Sequence, residues 1–346
     1  MMSIAIDAMG GDHGPAEVVA AAAAASLALD IELLLVGQER VLTQLLAEHE
    51  YNPERIAVFH APDVIGMHEE PRRAVLARPE ASVHVTCRLV ADGTASAMVS
   101  AGNTGAVVLA AAQHFNRIPG VSRAALASVF PTETRRGEKD DPFSLILDVG
   151  ATIEASAQEL VAFAIMGSAY ASRISKNPRP RVALLSNGTE DTKGLPSIVE
   201  ANRILRAHRG IHFIGNIEGM DIPRGTADVV VCAGFYGNVV LKMLEGVSET
   251  ILELASYAHK EKLVWRAGLY MLRGGVARIK ELTDWEQYGG APILGLDKVV
   301  IKAHGRSRAR AVGNAIKVAV KSAAAGMPER IQEGLAQLPP ADDPAI

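Results

Sequence analysis

The sequence predicts an α/β protein built on a mostly parallel sheet, and three features carry that prediction. Short β-branched runs alternate with longer helical runs along the chain, the pattern of repeated strand–helix units. Several strand runs are continuously apolar, as expected when helices cover both faces of a sheet. Many strand runs end in glycine-rich polar loops, the place where open parallel sheets hold ligands.

SIAID (3–7) opens the chain, and Pro15 is well placed to start the next helix, PAEVVAAAAAASLAL. IELLLVG (31–37) and RIAVFH (55–60) flank the helical run RVLTQLLAEHE. ASAMVS (95–100) hands over to AVVLAAAQ through Ala-Gly-Asn-Thr-Gly. ALASVF (125–130) and SLILDVG (144–150) come next, and PTETRRGEKDDP (131–142) reads as a solvated loop between them. SAQELVAFAIMGSAYASRI (156–174) and LPSIVEANRILRAH (195–208) are helical, and RVALLS, HFIG and DVVVCAG are further strands. The tail LPPADDPAI reads as frayed. With no internal repeat and no linker, residues 1–346 read as a single elaborated α/β domain, with a helical segment at about 255–285 protruding from it.

The chain has 346 residues, of which 49% are hydrophobic and 21% charged, ordinary values for a soluble globular protein. A net charge of −4 argues against a general nucleic-acid binder. Two cysteines, Cys87 and Cys232, make neither a disulfide framework nor a zinc pattern, and no metal is expected. MMSIAIDAMGGD has no basic start and reaches Asp7 at once, so no secretory signal is read and a cytoplasmic location is expected. VVAAAAAASLAL, the longest uncharged apolar stretch, is too short to span a bilayer.

Five strand runs end in loops that carry glycine beside Asn, Asp, Thr or Lys: GGDHGP, AGNTG, GATIEAS, NGTEDTKG and GFYGNVVLK. Convergence of such loops makes a site for a compact anion, because N–H groups at a helix start and the dipole behind them attract negative charge. Lys193 and Lys242 are candidate point charges for the anion, against surface roles for each. His13 reads equally as a ligand-facing donor or a turn residue, and His304 as a site residue or a structural turn. Cys232 ends a buried-looking strand and reads as a small core residue. MHEEP (67–71) reads as a solvated loop, since adjacent glutamates point to different sides. GxGxxG after the first strand, GxxxxGK[ST], GxSxG and HExxH are all absent, so no dinucleotide or other cofactor is expected.

Together DAMGGDHGP, SAGNTGA, LDVGA, GTED–KG, GNVVLK, YGGAPILGL and VIKAHG resemble the phosphate acyltransferase family of bacterial phospholipid synthesis (PlsX type), in the family's order and over nearly the whole chain. The resemblance implies an α/β/α sandwich related to the isopropylmalate dehydrogenase-like group, usually a homodimer. It implies transfer of a fatty acyl group from acyl carrier protein to inorganic phosphate, giving acyl phosphate. Phosphate is already a charged nucleophile, and a thiol of pKa about 8.5 leaves with little help, so the enzyme must supply position and charge stabilisation. The expected catalytic residues are Lys193, Lys242, His13 and Asn238. The expected phosphate- and substrate-binding residues are Gly10, Gly11, Asp12, Ser100, Gly102, Asn103, Thr104, Gly105, Asn187, Glu190 and His304.

Two positions depart from the family pattern. Ala233 stands where the family has aspartate before Gly-Phe, and Thr152 where LDVGA is followed by asparagine. A carboxylate at 233 is expected at the rim of the anion site, so its loss is expected to lower turnover. The rival readings are a non-catalytic relative that binds acyl carrier protein as a scaffold or sensor, and an acetyl-CoA-type phosphotransacetylase.

Two surfaces carry further expectations. In KEKLVWRAGLYMLRGGVARIKEL (260–282), Trp265, Leu269, Leu272, Val276 and Ile279 form an apolar stripe beside Lys262, Arg266, Arg273 and Lys280. This suits an anionic membrane surface on the inner face, or equally a dimer or core helix, with Gly274-Gly275 able to break it. Arg306 and Arg310, with Arg308 between them, are expected to dock acidic acyl carrier protein, being like charges one helical turn apart that an acidic partner would relieve, with the basic stripe of 260–282 as the rival patch.

Overall fold

The structure, a computed structural model, describes residues 1–136, 141–261, 263–275 and 289–337. Among the described residues eleven strands form one mixed sheet: β1 (Ser3–Asp7), β2 (Glu32–Gly37), β3 (Ile56–His60), β4 (Ala97–Ser100), β5 (Ala125–Arg136), β6 (Asp141–Leu147), β7 (Arg181–Leu185), β8 (His212–Ile217), β9 (Val229–Val231), β10 (Ala291–Leu294) and β11 (Val299–Lys302). Their order is β3-β2-β1-β4-β11-β10-β5-β6-β9-β7-β8. All neighbours are parallel except β11–β10, β10–β5 and β5–β6, which are antiparallel. The sheet is therefore mostly parallel, as expected from the apolar strand runs.

Three consecutive antiparallel pairings reverse the strand direction between the two halves. Loops after β1, β4 and β11 leave from one edge of the sheet, and loops after β6, β7 and β9 leave from the other. PTETRRGEKDDP is not a solvated loop throughout. β5 runs on to Arg136 and β6 starts at Asp141, and Arg136 pairs with Asp141 in a long hairpin. Cross-strand pairing accepts charged residues when one face stays wet, which overrides their loop-like composition.

Helices cover both faces. On one lie α3 (Pro71–Ala77), α4 (Ser82–Ala91) and α5 (Thr104–His114), with part of α9 (Gly234–Glu261). The opposite face carries α1 (Ala16–Ala28), α2 (Glu39–Leu46) and α11 (Ala309–Ala324) over the first half of the sheet. It carries α6 (Ala157–Ile174), α7 (Pro196–Ala207) and α12 (Met327–Leu335) over the second. The alanine run of α1 is a packed helix: Ala21, Ala22, Ala23 and Ala25 are buried, and small side chains let α1 lie close to α11.

Local chemistry sets the helix starts. Ser156 and Glu159 form a reciprocal capping box on α6. Glu70 accepts from the N–H groups of Arg72 and Arg73 and Pro71 opens α3, so MHEEP is a helix entry and not merely a solvated loop. The short α8 (Asp221–Arg224) precedes β9, and α10 (Leu263–Met271) follows α9. Residues 276–288, which include Val276, Ile279 and Lys280, and the tail 338–346 lie outside the described residues, as does Lys262.

Candidate active site

A cleft of about 570 Å³ opens where the β1, β4, β6 and β11 loops meet β5 and the side of α9. One end is polar, lined by Asp12, Lys242, Lys302, His304 and Arg306. Thr104 and Gly105, the first residues of α5, face the same space, so a helix N-terminus adds its unpaired N–H groups to the cations. Leu126 and Phe130 of β5 and Leu241 of α9, packed on the same side of the sheet, give the cleft an apolar wall.

Close backbone approach builds the polar end. A Cβ on Gly10 would sit 2.6 Å from the Gly102 nitrogen, so glycine alone lets the β1 and β4 loops touch. The Asp12 N–H donates to the Gly305 carbonyl at 2.8 Å and ties in the β11 loop. Beneath them Asp7 is buried, accepting from Ser82 Oγ at 2.6 Å and Ser100 Oγ at 2.7 Å. Burial raises its pKa, and these hydrogen bonds oppose the rise.

Lys302 is the residue that sequence reasoning passed over. It ends β11 after the buried run Val299–Ile301, is 5% exposed, and donates from Nζ to the carbonyls of Ala101 and Ala303. Burial lowers its pKa to about 8, while Asp7 and Asp12 pull the other way. The available signal was the lysine inside VIKAHG, directly after an unbroken apolar strand. His304 follows, and its Nδ1 accepts from the Arg306 N–H at 3.1 Å. Desolvation, then Lys302, Arg306 and Lys242, hold His304 at about 4, so it is neutral at pH 7. With Nδ1 accepting, the ring hydrogen resides on Nε2.

The structure sorts the expected residues. Asp12, Thr104, Gly105, Asn238, Lys242 and His304 line the cleft, and Arg306 stands at its polar end. Gly10, Gly11, Ser100 and Gly102 shape the loops behind it. The Asn103 side chain is committed elsewhere: Oδ1 caps α5 through the Ala106 N–H, and Nδ2 donates to Met67 and Glu69 carbonyls. Its amide positions the loop and does not cradle an anion. His13 is exposed beside the cleft but does not line it.

Asn187, Glu190 and Lys193 are exposed on the loop after β7, at the other sheet edge, and none lines the cleft. The convergence of five loops is thus corrected to four: Asp12, Thr104, Gly150 and Asn238 bring the loops after β1, β4, β6 and β9 to the cleft, and the loop after β7 contributes no lining residue. The β6 and β9 loops also meet each other. Asp148 is fully buried and accepts from the N–H groups of Leu126, Gly150, Ala151 and Thr152. Thr152 Oγ1 accepts from the Gly234 N–H at 3.1 Å, so threonine keeps a polar link at this departure from the family pattern. Cys232 is buried, with its thiol pushed up by burial, as a core residue. α9 starts there and carries Asn238 and Lys242 across to the cleft.

Ala233 precedes the first residue of α9, its carbonyl accepts from the Gly237 N–H at 3.1 Å, and it does not line the cleft. The expectation that it forms the rim of the anion site is corrected: a side chain there acts on the start of α9. Ala233→Asp is expected to stabilise the fold by about 1 kcal/mol through capping. Urea unfolding checks this, and a large rise in turnover with unchanged stability would contradict it.

Solved structures share the architecture. A phosphotransacetylase from Streptococcus pyogenes superposes with a TM-score of 0.64 at 18% identity, covering 93% of this chain and 94% of that one. A 4-hydroxythreonine-4-phosphate dehydrogenase from Klebsiella pneumoniae gives 0.51 at 16% identity, covering 93% and 99%. At such identities the likeness establishes the fold, an α/β sandwich of the dehydrogenase-like kind. The sequence model of a family described as "Fatty acid synthesis protein" matches residues 2–330. The phosphate acyltransferase of Trichlorobacter lovleyi is 42% identical over 336 residues, 97% of this chain and 95% of that protein. That of Dictyoglomus turgidum is 40% identical over 335 residues, 96% and 98% of the two chains. The protein is an acyltransferase. It belongs to the phosphate acyltransferase family.

Proposed function

We propose that the cleft transfers a fatty acyl group from acyl carrier protein to inorganic phosphate, releasing acyl phosphate for phospholipid synthesis. The observation that carries this reading is one cleft lined both by a cluster of cations and by an apolar wall. Phosphate sits among Lys302, Lys242 and the N-terminus of α5, and the acyl chain lies along Leu126 and Phe130 of β5 and Leu241 of α9. A phosphate oxygen attacks the thioester carbonyl, and the electron pair moves to the carbonyl oxygen. His304 Nε2–H and the cations stabilise that oxyanion, and its collapse expels the carrier thiolate. No general base is needed, because the nucleophile is already anionic.

The test is to incubate the protein with long-chain acyl carrier protein and phosphate, and to trap acyl phosphate as the hydroxamate. Hydroxamate that depends on both substrates is the expected result. Carrier binding without any hydroxamate supports a scaffold and overturns the enzyme reading.

Carrier docking is assigned to the basic rim at Arg306 and Arg310. The helical-repulsion argument for them is corrected, because α11 starts at Ala309 and Arg308 before it is extended. Arg306 lies in the turn beside the cleft, and Arg310 is exposed on the first turn of the helix. Charge reversal at both, Arg306→Glu with Arg310→Glu, is expected to slow carrier capture by at least about tenfold at low salt and less at high salt. Stopped-flow association measures it, and equal rates would place docking elsewhere.

A homodimer is the reading for α9, whose Val239, Met243, Val247, Ile251 and Leu254 form an exposed stripe at helical spacing. Beyond it Val264, Trp265, Tyr270, Met271 and Leu272 are exposed, and the Arg273 guanidinium lies over the Tyr270 ring at 4.6 Å. The side chains of Arg266 and Leu269 lie outside the described residues. Among the described residues no helix is long and apolar enough to cross a membrane. This tip is assigned to peripheral contact with an anionic membrane from the cytoplasmic side. Trp265 fluorescence is expected to shift to the blue with anionic vesicles and to ignore neutral ones, and indifference to both removes the membrane role.

A further inference from the structure

A second cavity, of about 300 Å³, lies far from the cleft, at the amino-terminal ends of β7 and β8 and between the end of α6 and α12. Nothing in the acyl-transfer chemistry uses it. Three arginines line it: Arg173 at the end of α6, Arg179 before β7, and Arg330 of α12. Arg330 is paired with Glu333 at 3.0 Å. Arg173 and Arg179 form no ion pair among the described residues.

Two histidines deepen the case. His208 Nδ1 accepts from the Gly210 N–H at 3.0 Å, and burial lowers the ring's pKa, so the ring is neutral with its hydrogen on Nε2. That Nε2 is buried without a hydrogen-bond partner, as is Nδ1 of His212, the first residue of β8. Buried polar atoms are nearly always paired, and leaving one unmade costs about 1–3 kcal/mol. Both rings border the cavity with these atoms just behind its open surface, and beside two guanidiniums without ion pairs they describe a site suited to an acceptor-rich partner. Ile165, Ala169 and Ile211 supply an apolar floor.

We propose that this cavity is a second binding site, for a small phosphate monoester, separate from the acyl-transfer cleft. Arg173 and Arg179 hold the phosphate group, whose oxygens match a guanidinium fork. The His208 ring, whose Nε2–H lies just behind the open surface, turns on binding to donate to a phosphate oxygen, and the small organic body rests on Ile165, Ala169 and Ile211. The volume is at the lower end of small-molecule sites, which limits the ligand to a compact metabolite.

The probe is phenyl phosphate, titrated into the full-length Lys302→Met protein so that the cleft contributes little. Saturable binding is expected, with the His208 ring nitrogen signals shifting in ¹⁵N spectra. Adding Arg173→Ser is expected to weaken binding at least about tenfold. His208→Phe is expected to weaken it too, whereas His208→Gln, which restores a donor, largely recovers it. Equal melting temperatures across the set show that the fold is intact. No saturable binding in Lys302→Met, or binding that ignores both Arg173→Ser and His208→Phe, overturns the proposal. Neither outcome touches the acyl-transfer reading, which the hydroxamate assay tests in the unaltered protein.

Discussion

Lys302→Met is expected to lower turnover about 10²–10³-fold while leaving the fold as stable as before or more so. The first half follows from removing a charge at the polar end of the cleft, where charge-stabilising groups are worth that much. The second follows from burial. Lys302 is 5% exposed and its pKa is lowered to about 8, which means that the fold pays to keep its ammonium charged. Methionine has similar length and no charge, so that penalty disappears while the packing survives.

The same residue sets a pH dependence of definite sign. A lysine whose folded pKa lies below its unfolded value of 10.5 is charged in both states below pH 8. Between pH 8 and 10.5 the unfolded chain holds more protons than the folded one, so stability rises with pH in that window, by at most about 3 kcal/mol. Phosphate works in the opposite direction. It favours the ammonium, so its binding takes up a proton near pH 8 and weakens as pH climbs above that. Calorimetry in buffers of different ionisation heat, and melting curves from pH 7 to 10.5, read both effects. A pH profile shared by the parent and Lys302→Met would show that another group is responsible.

Gly237→Ala is expected to be among the most damaging single changes outside the cleft. A Cβ at 237 would lie 1.9 Å from the Asp148 carbonyl oxygen and 2.9 Å from Cys232 Sγ. Neither neighbour can yield, because Asp148 is fully buried and its carboxylate accepts four backbone N–H groups. The first turn of α9 must therefore move, and with it Asn238 and Lys242. A loss of at least about 3 kcal/mol is expected, the scale of severe overpacking. Urea unfolding measures the loss, and phosphate affinity measures displacement of Lys242. Gly246→Ala on the same helix has no atom within 4 Å of the added Cβ and serves as the control. Similar, small effects for both would mean that α9 does not pack as described.

Much of this protein was legible in its sequence because the informative forces are local. Continuous apolar runs such as Leu33–Val36 mark strands buried on both faces, and that burial is found. Ser156 with Glu159, and Pro71 after Glu70, carry the chemistry of helix starts at one turn's distance. The motifs DAMGGDHGP, SAGNTGA and VIKAHG lie at strand ends that meet at the cleft, since β1, β4 and β11 are parallel neighbours.

The rest depended on which strands become neighbours, and in which direction. The antiparallel pairings β11–β10, β10–β5 and β5–β6 send Lys193 to the far edge of the sheet, although its loop looks like the others. PTETRR became strand because DPFSLIL lay opposite it, a contact that composition does not encode. Asn103 and Ser100 looked like anion ligands by type, and only their partners, Met67, Glu69 and Asp7, show that they hold the loops in place. Lys302 is the converse case. Its residue type says surface, but its place at the end of a buried strand between two carbonyls makes it the charge around which the site is built. Residue type and spacing determined the elements and the polar loops, because those depend on short-range sterics and periodicity. Tertiary structure decided the membership of the site, because a side chain's role follows from neighbours that lie far away along the chain.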